Sequence, residues 1–122
     1  MVPNINDLLK SLIERVKNND YGLEFIYEVL QLGMLIVGWF REEDTLPIAY
    51  GVTVETESLA TELHSRLTGQ ELVMGGPIGY AIFAMLLRAL IGRAIDELSQ
   101  SGLPQHLIEL ITKWLDTLLE SL

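Results

Sequence analysis

Residues 21–40, YGLEFIYEVLQLGMLIVGWF, decide the fold, because their two halves carry different patterns. In the first half Phe25, Ile26, Val29 and Leu30 share one helical face, while Leu23, Phe25, Tyr27 and Val29 also fit the alternation of a strand. We read a helix over 21–31, stopped by Gly33. The second half, MLIVGWF, is a continuous β-rich apolar run followed by the polar REEDTLP. Beyond that loop, Ile48, Tyr50, Val52 and Val54 alternate with Ala49, Gly51, Thr53 and Glu55. Together these runs predict an antiparallel β-hairpin over 34–54, with a short third strand at 71–74.

The remaining chain reads as helix. In residues 4–19, Ile5, Leu8, Leu9, Leu12, Ile13 and Val16 recur at helical spacing and form a one-sided apolar stripe behind Asn4 or Asn6 as cap. A helix from Thr56 to about Leu67 has Thr56 in the cap position, acids in its first turn and Gly69 past its end. A long helix over 78–100 follows the Gly75, Gly76, Pro77 break and stops before Gly102. Its first turns are apolar on every side, since Ile78, Ile82 and Leu86 point opposite to Tyr80, Phe83 and Ala84. Such a helix must be covered on every side. A last helix over 104–122 opens at Pro104. The expected fold is α+β and predominantly helical: about five helices around the long central helix 78–100, with the hairpin, in a single domain spanning 1–122.

Composition narrows the function classes. The chain has 122 residues and no cysteine, so disulfides, thiolate metal sites and cysteine nucleophiles are excluded. Seventeen acids against eight bases give a net charge of −9, which disfavours direct binding to a nucleic-acid backbone. The acids Glu42, Glu43, Asp44, Glu55, Glu57 and Glu62 form a candidate acidic patch for a basic partner. Counted with glycine and without tyrosine, apolar residues make up roughly 54% of the chain, above the usual 45–50%. That excess calls for cover by a large core, a ligand or a second copy.

The surplus concentrates in the last helix. Its apolar residues span about 180°, broader than the stripe of about 100° that a surface helix needs. Leu107, Ile111, Trp114, Leu115, Leu118, Leu119 and Leu122 are therefore the candidate interface. Trp39 and Trp114 are expected as packing or interface anchors.

Other constellations lack diagnostic spacing. Gly75, Gly76 and Gly79 before a helix invite comparison with a phosphate loop, but no Lys-Ser/Thr follows and the first basic residue is Arg88. His106 and Glu109 share a helix face without further ligands, and His64 is expected to be solvated or capping, so no metal or cofactor is assigned. No GxSxG or HExxH motif is present, and the expectation is a protein that is not an enzyme. The apolar run behind Pro77 is too short to span a bilayer, and the N-terminus lacks a secretory pattern, which places the expected location in the cytoplasm. The function expected is a self-associating protein-interaction module, a homodimer built on helices 78–100 and 104–122 with an acidic surface for a basic partner, acting as an inhibitor or regulatory accessory protein. The alternative is a small-ligand-binding protein with an apolar pocket beside helix 78–100.

Overall fold

The protein is seen in a computed structural model that describes residues 4–41, 53–71 and 80–122. Among the described residues every regular element is a helix: α1 (Ile5–Lys17), α2 (Leu23–Arg41), α3 (Val54–Thr68), α4 (Tyr80–Ser99) and α5 (Gln105–Glu120). Each of the five contributes buried residues to one hydrophobic cluster.

The expected α+β class is therefore corrected to all-helical for the described residues. The hairpin at 34–54 fails at its first strand, because α2 runs without a break through Met34 to Arg41. A short continuous apolar run is as compatible with a buried helix as with a buried strand, and here the helical period wins. Phe25, Ile26, Val29, Leu32, Ile36 and Val37 are all buried, at spacings of three and four. Burial of that one face outweighs the β-preference of Ile36 and Val37. Of the second strand, residues 48–52 lie outside the described residues and Val54 opens α3. Of the third, Glu71 is not in a strand and 72–74 lie outside.

Gly33 is likewise corrected, from helix stop to helix interior. It is retained as a point of close approach: a Cβ built there would lie 2.6 Å from Leu118 Cδ1 and 3.5 Å from Leu87 Cδ1. Glycine is what lets α5 and α4 close on α2 at this level.

The helix ends follow local chemistry. Asn4 caps α1, its side chain accepting from the Asn6 amide at 2.8 Å. At α3 the cap is Thr53, three residues ahead of the expected Thr56. Thr53 Oγ1 accepts from the Thr56 amide and Thr56 Oγ1 accepts from the Thr53 amide, so the two threonines satisfy each other's backbone. Thr56 Oγ1 also donates to Asn6 Oδ1 at 2.7 Å, tying the start of α3 to α1. Gly69, placed past the end of α3 as expected, and Gly102, after α4, both adopt the left-handed region.

Helix α4 is the centre, in contact with α2, α3 and α5. Phe83, Ala84, Leu86, Leu87, Leu90, Ile91, Ala94 and Leu98 are buried along it. Leu86 is fully covered and Ile82 partly, Met85 is exposed, and Ile78 lies outside the described residues. Helix α1 closes the other side against α2 and α3. Its polar fastening is Arg15, which binds Glu28 through Nε, Glu24 at 2.9 Å and Asp20 at 2.7 Å, while Ser11 donates to the same Glu28 at 3.0 Å. The hydrogen bond to Glu28, with the neighbouring acids, holds the Arg15 guanidinium above its ordinary pKa despite the opposing effect of burial.

Candidate functional site

Among the described residues, large apolar side chains are left exposed in groups on α5 and α2 and singly at Val54 of α3 and Met85 of α4. Leu115 is wholly buried in the chain's own core, and Ile111, Leu118 and Leu122 pack against that core half-buried, as does Ile108. At about 100° per residue, Leu107, Leu110 and Trp114 fall together within an arc of about 60° on one flank of this docked stripe. They remain 37–50% exposed. Leu119 is exposed as well, but on the opposite flank. The expected interface set thus divides: Leu115 serves the fold, Ile111, Leu118 and Leu122 line its edge, and Leu107, Trp114 and Leu119 face outward.

Sequence reasoning missed Leu110 as an outward residue and missed α2 altogether. Leu23, Tyr27 and Met34 are exposed on α2 and share one arc with the half-buried Leu30. The signal was present as a period of four, three and four residues. It was obscured by reading the second half of this helix as a strand.

These two apolar flanks lie on the same side of the molecule. Helices α2 and α5 meet where Leu118 approaches Gly33. On one side of that seam both helices turn their buried residues to the core, Val29 and Ile36 from α2 and Leu115 from α5. The exposed flanks therefore both lie on the other side, outward. The helices also run in the same direction. Arg93 stacks over the Tyr21 ring at 4.2 Å while Leu87 lies at Gly33, so α2 and α4 are antiparallel, and the short 100–104 turn returns α5 along α4.

The expected acidic patch is not a uniform surface. Glu57 turns inward and is only 8% exposed, with Oε2 lacking a hydrogen-bond partner. Glu55 lies 3.5 Å from Lys10 and Glu62 lies 3.5 Å from Arg66. Glu42, Glu43 and Asp44 lie outside the described residues, as do Gly75, Gly76 and Gly79 of the candidate ligand loop.

Of the histidines, His106 is exposed, whereas His64 is buried rather than solvated. Thr68 Oγ1 donates to the His64 carbonyl at 2.9 Å and lies 3.5 Å from its Nδ1. Among the described residues no three His, Asp or Glu side chains gather as a metal site. No described helix is long and apolar enough to cross a membrane. Comparison with protein-family models, with curated proteins and with solved structures finds no match to this chain.

Proposed function

We propose that this chain is a non-enzymatic interaction module that self-associates through the outward flank of α5. The observation that carries the reading is Trp114, half exposed between Leu107 and Leu110 on one flank of a helix whose Ile108, Ile111, Leu115, Leu118 and Leu122 are docked. A large ring held on a rigid helix beside two leucines loses little entropy on being covered and has much surface to bury. Tryptophan is for that reason prominent among residues that dominate interfaces.

The acidic surface is the weaker half of the expected function. With Glu57 inward and Glu55 and Glu62 beside cations, the described part of the patch offers little unpaired charge to a basic partner. Self-association is the part retained. Light scattering coupled to size-exclusion chromatography at micromolar concentration tests it. A dimer that Trp114→Glu converts to a folded monomer supports the reading, and a strict monomer for the unmodified chain rejects it.

A further inference from the structure

We infer that α2 supplies the second half of the self-association face, so that a second copy of this chain covers α2 and α5 together across one two-fold interface. The inference rests on the self-association reading above and specifies its geometry.

Area is the first argument. Side chains of this size carry roughly 150–250 Å² each, so Leu107, Leu110 and Trp114, at 37–50% exposed, offer roughly 250–300 Å². A stable interface takes about 800 Å² from each partner. The α5 flank alone is too small by more than half. Leu23, Tyr27 and Met34, at 55–68% exposed, more than double it, to roughly 600–700 Å². That total reaches the lower end of what a specific dimer buries.

Shape is the second. The two flanks belong to helices that run in the same direction and meet at the Gly33–Leu118 seam. A two-fold contact sets the same patch of both copies against itself, so α2 and α5 of one copy meet α2 and α5 of the other. Charge placement agrees: the acids of both helices, Glu24 and Glu28 on α2 and Glu109, Asp116 and Glu120 on α5, lie outside these arcs. Two chains of net charge −9 therefore meet on uncharged surface. An apolar centre with polar margins is the usual arrangement of such a contact.

The test compares Tyr27→Glu and Met34→Glu with Trp114→Glu by sedimentation velocity across a concentration series. All three side chains are exposed in the protomer, so circular dichroism should show each variant folded. The expected result is that each of the α2 variants raises the dissociation constant about tenfold or more, as Trp114→Glu does. If Trp114→Glu dissociates the dimer and both α2 variants leave it intact, self-association stands and the α2 half is overturned. If the unmodified chain is monomeric throughout, both fall.

A second measurement does not depend on charge reversal. The chain has no cysteine, so a thiol introduced by Met34→Cys can be alkylated cleanly. Its labelling should slow severalfold as the protein concentration passes the dimerisation range, while a Glu62→Cys thiol on α3 is unaffected. Equal labelling of Met34→Cys in monomer and dimer overturns the inference.

Discussion

Leu118 occupies the space that a side chain on Gly33 would need, its Cδ1 lying 2.6 Å from the position of the missing Cβ. This one contact sets how closely α5 approaches α2, and so whether their outward flanks form one face. Gly33→Leu should force the helices apart and lower stability by about 2 kcal/mol, in the range for overpacking a close contact. Gly33→Ala should cost far less, because only the tip of Leu118 must move and a helix-interior alanine is favoured over glycine by up to about 1 kcal/mol. Gly92 is the control: nothing lies within 4 Å of its Cβ position, so Gly92→Ala should stabilise α4 by about 0.5–1 kcal/mol. Urea denaturation of the three variants checks the ordering.

Arg15 fastens α1 to α2 through Glu28, whose side chain is largely buried. Arg15→Met leaves that carboxylate with only the Ser11 hydroxyl and should lower stability by about 2 kcal/mol. The double variant Arg15→Met with Glu28→Gln should recover much of the loss, since no unpaired charge then remains. Additive losses in the double variant, measured by denaturation, would show that the pair does not act as described.

The difference between what the residues foretold and what the fold contains has a physical pattern. Helices with one-sided stripes and capping residues, α1 above all, are announced by local chemistry: the Asn4 cap and the Ile5 to Val16 spacing are both in place. The region 34–41 could not be assigned from its own residues. An unbroken apolar run carries no period, and what decides it is the burial of Ile36 and Val37 in the assembled fold, which local sequence does not announce. The same error hid Met34, which as a strand residue had no reason to be grouped with Leu23 and Tyr27. Glu57 shows the converse limit. Its charge counted toward a surface patch, but the face of α3 that it occupies turns inward.

Glu57 is also a place where the fold carries a cost. A buried carboxylate oxygen without a hydrogen-bond partner is destabilising by about 1–3 kcal/mol, eased here by the positive end of α3 about one turn away. Glu57→Met should therefore raise stability by about 1 kcal/mol, whereas Glu55→Gln and Glu62→Gln should change it by less than about 0.5 kcal/mol. A loss of stability in Glu57→Met would mean that the carboxylate has a favourable partner after all.

Salt separates an apolar dimer from one held by ion pairs. Each chain carries a net charge of −9, so two copies repel. Added sodium chloride screens that repulsion and leaves the apolar contact in place, and the dissociation constant should fall as salt rises from about 0.01 to 0.5 M. A dimer built on charge complementarity would weaken over the same range. Sedimentation velocity at three ionic strengths gives the sign.

Native mass spectrometry of the freshly purified chain tests the central claim most directly, because it reads stoichiometry and bound mass together. Self-association through the α2–α5 face predicts a dimer of the bare chain that Trp114→Glu converts to monomer. A monomer at every concentration would contradict it, and a monomer carrying a stoichiometric small molecule would favour a ligand pocket instead.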